Sequence, residues 1–122
     1  IQQRRAVNDF YKDVFSNIDA VNLFSEASSD FFSNHWLSSI TIDKKVTTRT
    51  NQELMAAFAE ENIETRPLWK PMHLQPVCND CPYYCETVSE ELFTAGLCLP
   101  SGSNITNDDK NRIYEVISNY QF

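Results

Sequence analysis

The chain has 122 residues, an apolar fraction of 42%, an aromatic fraction of 12% and a net charge of -7 at neutral pH. That size and composition predict one folded domain and exclude the polar, highly charged signature of disorder. No apolar run reaches the roughly 18 residues of a membrane span, no signal peptide heads the chain, and its acidity repels a phosphate backbone; a soluble, cytoplasmic protein that binds neither membrane nor nucleic acid is expected. The chain opens at Ile1 and passes at once into a charged amphipathic segment, which reads as a piece of a longer protein. Cys78, Cys81, Cys85 and Cys98 are expected as free thiols, since a domain of this size buries enough apolar surface without disulfides.

Val7, Phe10, Tyr11, Val14 and Phe15 recur at the i, i+3, i+4, i+7 and i+8 spacing of a single helical face, which predicts an amphipathic helix over 4–15. Around residue 19 the helical period fades. Residues 21–24 and 36–42 read as strands on either side of the serine-rich stretch 25–33. In the second strand Trp36, Ile40 and Ile42 share one face and Leu37 and Thr41 the other, so both faces are expected to be covered. Thr50-Asn51-Gln52-Glu53 has the form of a capping box and starts a predicted helix to about Asn62, with Leu54, Met55, Phe58 and Ala59 as its apolar stripe. Between Ile63 and Pro76 the prolines Pro67, Pro71 and Pro76 exclude regular helix. A strand leading into a stiff loop follows, and such a loop suits the display of Arg66, Trp69, Lys70 and His73 to a ligand. Thr87-Val88-Ser89-Glu90 repeats the capping-box pattern, with Gly96 expected in a left-handed position after the helix and 96–100 as a short buried strand. Thr106 opens the last helix, whose core face is Ile113, Val116, Ile117 and Tyr120. The order predicts an α/β domain with a small, mostly antiparallel sheet covered by helices.

Cys78-x2-Cys81-x3-Cys85, with His73 five residues earlier, supplies the ligand types of zinc and iron–sulfur sites. The second paired half of a zinc ribbon is missing, so no metal is expected. Cys98 lies in an apolar run and reads as a small core residue. Asn34-His35-Trp36 and Trp69-Lys70-Pro71-Met72-His73 each bring a polar ring beside a large aromatic; the plain reading is core tryptophan with hydrogen-bonded histidine, and the functional reading is a ligand pocket. Arg66 is the candidate for a carboxylate or phosphate, its plain alternative being a surface salt bridge with Glu64 or Glu61. Gly96 and Gly102 are the only glycines, which excludes a glycine-rich phosphate loop.

Taken together, Ser33-Asn34-His35-Trp36-Leu37, the helix at 50–62, the run from Arg66 to Pro76 and the run from Gly96 to Asn104 resemble the C-terminal region of the DegT/DnrJ/EryC1/StrS aminotransferases. The resemblance covers nearly the whole chain and is strongest to the branch that aminates nucleotide-linked 4-keto sugars. It implies a fold-type-I pyridoxal phosphate enzyme, in which a large domain, absent from residues 1–122, carries the Schiff-base lysine and a small C-terminal domain covers the site. None of Lys12, Lys44, Lys45, Lys70 and Lys110 matches a family Schiff-base motif, so the chain alone is expected to be inactive. The implied reaction passes an amino group, usually from glutamate, to the keto carbon of a sugar nucleotide for polysaccharide or glycan biosynthesis, and the full-length enzyme is expected as a homodimer. Asn34, His35, Trp36, Arg66, Trp69, Lys70 and His73 are the expected substrate contacts, with Trp69 and His73 foremost. The chain departs from the family pattern at 77–87, where Cys78 and Cys85 stand. Two rivals are a metal- or partner-binding domain organised by Cys78, Cys81, Cys85 and His73, and a pyridoxal phosphate dehydratase of the same family in which histidine replaces the lysine.

Overall fold

The computed structural model describes residues 1–84 and 87–122. Its elements are α1 (Gln2–Phe15), β1 (Val21–Leu23), β2 (Ser38–Ile42), α2 (Asn51–Glu60), β3 (Arg66–Pro67), two 3₁₀ turns (Met72–Leu74 and Pro76–Cys78), α3 (Val88–Ala95), β4 (Gly96–Leu99) and α4 (Asn107–Tyr120). Among the described residues the strands form a single antiparallel sheet in the order β1-β2-β4-β3, with Ile40 opposite both Leu23 and Leu97 and Arg66 opposite Cys98. The small antiparallel sheet covered by helices is thus the architecture expected from the sequence.

Side-chain alternation decides which layer each helix joins. Ile40 and Ile42 of β2, with Leu97 and Leu99 of β4, pack with Val7, Tyr11 and Phe15 of α1, Leu54 and Phe58 of α2 and the Ile113, Val116, Ile117 and Tyr120 stripe of α4. The opposite face carries half-buried Ser39 and Thr41, and α3 lies against β2 and β4 there. Two tyrosines tie the helical layer together through their hydroxyls: Tyr11 donates to the Pro100 carbonyl (2.9 Å) and Tyr120 to the Thr50 carbonyl (2.8 Å). Thr50 and Glu53 form the reciprocal capping box, Thr106 and Asp109 form another, and α2 gives way to Asn62 at φ 56°, near the end read from the sequence.

Three local expectations are corrected. Thr87 does not cap α3: its backbone is helical (φ -75°, ψ -3°) and its hydroxyl donates to Glu91 Oε1 (2.7 Å) rather than accepting from the backbone. Gly96 is extended (φ -92°, ψ 153°), because α3 runs directly into β4 without a left-handed residue. Its need for glycine is space, since a Cβ there would lie 2.2 Å from Leu68 Cδ1 and 2.5 Å from the Leu92 carbonyl oxygen. β2 begins at Ser38 and not at Trp36, because His35 takes a positive φ of 43° and turns the chain just before the strand. Trp36 is left outside the sheet.

Candidate functional site

The segment between β1 and β2 is folded by one side chain of α1. Arg5 Nη1 donates to Glu26 Oε1 (2.7 Å) and to the Ser33 carbonyl (2.6 Å), while the Ser33 amide donates to the same Glu26 oxygen (2.7 Å). The guanidinium also lies over the Phe32 ring, 4.4 Å from its centroid. Hydrogen bonds from Arg5 and then from the Ser33 amide hold the Glu26 carboxyl down at about 2, well below the usual carboxylate range. The result is a closed turn that brings Ser33 and His35 back against α1.

His35 is buried, and its backbone amide donates to Ser33 Oγ (3.0 Å). Its ring Nε2 has no hydrogen-bond partner and lies 3.9 Å from Glu26 Oε1. Burial lowers its pKa, the nearby Arg5 charge adds to that, and Glu26 opposes it, so a neutral ring with an unclaimed nitrogen is favoured at pH 7. The next residue turns outward: the Trp36 amide donates to Asn34 Oδ1 (3.1 Å), an Asx turn, and the Trp36 indole is 56% exposed. Trp69, just past β3, is 68% exposed, and the two indole rings stand 6.1 Å apart at 35°.

These residues border an open hollow of about 670 Å³ whose wall also includes Phe31, Phe32, Leu68 and Leu92. Exposed large aromatics grouped around a few buried polar atoms are the usual makeup of a surface that takes an amphipathic ligand. The hollow holds His35, Trp36 and Trp69 from the sequence-predicted set. Asn34 adjoins it, but its side-chain oxygen is used by the turn. The others lie elsewhere. Arg66 sits on the edge strand β3 and gives two hydrogen bonds to Glu64 Oε1 (2.8 and 2.6 Å), with both side chains exposed. Lys70 is exposed, and its carbonyl accepts from Gln75 Nε2 (3.2 Å). His73 Nε2 pairs with Glu90 Oε1 of α3 (2.9 Å), and its ring stacks on Tyr83 at 4.2 Å. The role of Glu26 and Arg5 was not visible in the sequence, since they are 21 residues apart and meet only through the fold.

Among the described residues no three of His, Cys, Asp and Glu gather as a metal site, and Cys78, Cys81 and Cys98 are free thiols. Cys85 lies outside the described residues. Pyridoxal phosphate needs a lysine amine for its Schiff base and donors for its phosphate. The hollow contains no lysine, and the Arg5 guanidinium beside it is engaged by Glu26. This hollow by itself therefore lacks the lysine and the free cation that the cofactor requires.

The model of the DegT/DnrJ/EryC1/StrS aminotransferase family matches residues 1–118. The chain belongs to that family. It is 38% identical over 121 residues to EpsN of Bacillus subtilis (strain 168), named as a pyridoxal phosphate-dependent aminotransferase, covering 96% of this chain and 30% of the relative. With the GDP-perosamine synthase of Escherichia coli O157:H7 it shares 30% identity over 98% of this chain and 31% of the relative. It therefore spans about 30% of the length of the curated relatives it matches. The fold agrees with that of Helicobacter pylori PseC, an aminotransferase involved in the biosynthesis of pseudoaminic acid, at a TM-score of 0.81 and 17% identity over 98% of this chain and 32% of that one. S. venezuelae DesV agrees equally, with a TM-score of 0.81, 18% identity and coverage of 98% of this chain and 31% of that one. Membership of the family favours the aminotransferase reading over a metal- or partner-binding domain. Among the described residues no helix is long and apolar enough to cross a membrane.

Proposed function

We propose that residues 1–122 are the C-terminal small domain of a cytoplasmic, homodimeric, pyridoxal phosphate-dependent aminotransferase. The full-length protein transfers an amino group from glutamate to a nucleotide-linked keto sugar destined for a polysaccharide or glycan. The Schiff-base lysine and the cofactor's phosphate contacts then belong to the large domain, and the small domain alone is inactive. The observation that carries the reading is the family match across residues 1–118, joined to a hollow in which two exposed tryptophans stand 6.1 Å apart beside a buried, unpartnered histidine nitrogen. The relatives called GDP-perosamine synthases make a GDP-linked product by name, which supports a nucleotide-linked substrate.

In this reading Trp36 and Trp69 present flat apolar faces to the sugar or base, and His35 Nε2 offers a hydrogen bond to a hydroxyl or carbonyl of the ligand. Arg66 and Lys70 are the cations available to phosphate or carboxylate, Arg66 by exchanging its exposed Glu64 partner. Asn34 and His73 support the segments that carry the two tryptophans. The test is a steady-state assay of the full-length protein with glutamate and a panel of nucleotide-linked keto sugars, following 2-oxoglutarate and the aminated sugar nucleotide by mass. Trp36→Ala and Trp69→Ala should each raise KM for the sugar nucleotide by roughly fivefold, the equivalent of about 1 kcal/mol of lost aromatic packing. Failure to aminate any keto sugar sinks the reaction; normal amination with unchanged KM in both variants sinks the hollow as its binding surface.

A further inference from the structure

The thiols of Cys78 and Cys81 lie outside the aromatic hollow, at the end of the second 3₁₀ turn and just beyond it, before Tyr83. The turn Pro76–Cys78 continues beyond its last residue. Three amides donate three residues back, from Cys78 to Gln75 (2.9 Å), from Asn79 to Pro76 (3.4 Å) and, past Asp80, from Cys81 to Cys78 (3.0 Å). Asn79, the first residue between the cysteines, has φ -55° and ψ -34°. The bond from Cys81 to Cys78 closes a four-residue turn, which brings residue i+3 back beside residue i. The Cα atoms of such a pair lie within about 7 Å. A disulfide spans Cα separations of roughly 4.4 to 6.8 Å, and the two ranges overlap. Cys78 is half-buried, Cys81 is exposed, and both are free, so a small reagent reaches the pair from solvent.

The flanks of this turn meet at one side chain. His73 precedes it, is held to Glu90 of α3 at 2.9 Å and stacks on Tyr83, which follows it, at 4.2 Å. Gln75 Nε2, donating to the Lys70 carbonyl at 3.2 Å, braces the same approach. The thiols are therefore presented on a short loop anchored at both ends.

We propose that Cys78 and Cys81 are a reversible dithiol–disulfide pair that exchanges with a low-molecular-weight disulfide such as oxidised glutathione. The exposed Cys81 thiol loses its proton to solvent, and its thiolate attacks one sulfur of glutathione disulfide, expelling one glutathione thiolate. The Cys78 thiolate then attacks the mixed disulfide at Cys81, forms the Sγ–Sγ bond and expels the second glutathione. Two protein thiols are oxidised, one glutathione disulfide is reduced to two glutathione molecules, and the two protons released pass to them through solvent. Closure pins the Asn79-Asp80 turn between the two segments that meet at His73. The inference is independent of the reaction that the full-length enzyme catalyses.

The experiment treats the reduced, full-length protein with oxidised glutathione, blocks remaining thiols with an alkylating reagent and reads the products by intact mass and peptide mapping. The expected product is lighter by two hydrogens before alkylation, carries no glutathione, maps to a Cys78–Cys81 link and returns to the dithiol with reduced glutathione. Cys78→Ser should stall as a glutathione adduct on Cys81, and Cys85→Ser should leave the link unchanged. Separate glutathione adducts on both cysteines of the unsubstituted protein would overturn the proposal. So would a link to Cys85 in place of either thiol, or stoichiometric zinc in protein purified without an affinity tag that protects the thiols from alkylation.

Discussion

Gly96→Ala sets two effects of opposite sign against each other. Gly96 has φ -92° and ψ 153°, a conformation any residue adopts, so backbone entropy alone favours alanine by about 0.4–1 kcal/mol through the unfolded chain. The surroundings oppose it. An alanine Cβ would sit 2.2 Å from Leu68 Cδ1, 2.6 Å from Leu68 Cγ and 2.5 Å from the Leu92 carbonyl oxygen. Leu68 has room to rotate only by altering the wall of the aromatic hollow, and the Leu92 oxygen moves only if α3 moves. β4 is restrained as well, because Asn51 Nδ2, buried on α2, donates to the Gly96 carbonyl at 2.9 Å. Overpacking of this kind costs about 1–3 kcal/mol, and three contacts under 3.0 Å, one of them to backbone, place this site toward the upper end, so the net loss after the entropic gain is about 1–2.6 kcal/mol. Urea unfolding should show a lower midpoint with an unchanged m-value, and the fluorescence of the exposed tryptophans should shift as the Leu68 side of the hollow rearranges. A midpoint equal to or above that of the unsubstituted protein would refute the close packing of α3 and Leu68 on this strand.

Two further outcomes concern the Arg5–Glu26–His35 cluster, where both folded-state pKa values are lowered and stability is lost as pH falls, in two different pH windows. The Glu26 carboxyl is held at about 2 in the folded state, below its ordinary value near ~4.3, so its stabilising contribution is complete above the ordinary value and fades as pH falls toward 2. Glu26→Gln should lower the unfolding midpoint at pH 7, and its difference from the unsubstituted protein should shrink steadily through that acid window; a difference independent of pH would rule out the charge as the cause. For His35 the folded-state pKa is also lowered, by burial first, so stability is held above the ordinary imidazole value near ~6.5 and lost as pH drops through the folded value. His35→Asn tolerates the positive φ and removes the titration, and should flatten the slope of stability between pH 7 and 5. Equal slopes in the two proteins would show that the buried ring does not gain a proton there.

Much of the scaffold was legible because its causes are local. The face of α1, the Thr50–Glu53 box, the stripe of α4 and the buried run of β4 rest on interactions among residues no more than a turn apart or on side-chain alternation, and the structure holds all four. The same local reasoning failed at Thr87 and Gly96. There the sequence pattern of a cap and a left-handed stop was present, but Thr87 is itself helical and turns its hydroxyl to Glu91, while α3 leads straight into the sheet and Gly96 stays extended, answering the close approach of distant Leu68 and of the Leu92 carbonyl one turn back in α3. The site followed the same division. Trp36 and Trp69 were conspicuous as residues, yet their meeting depends on the strand order, in which β2 and β3 flank β4, and on the turn at His35 that frees Trp36 from β2. Arg5 and Glu26 carried no shared signal at all, because an ion pair between distant segments leaves no periodicity behind; only closure of the chain against α1 brings that carboxylate to the guanidinium and leaves the His35 nitrogen unclaimed beside it.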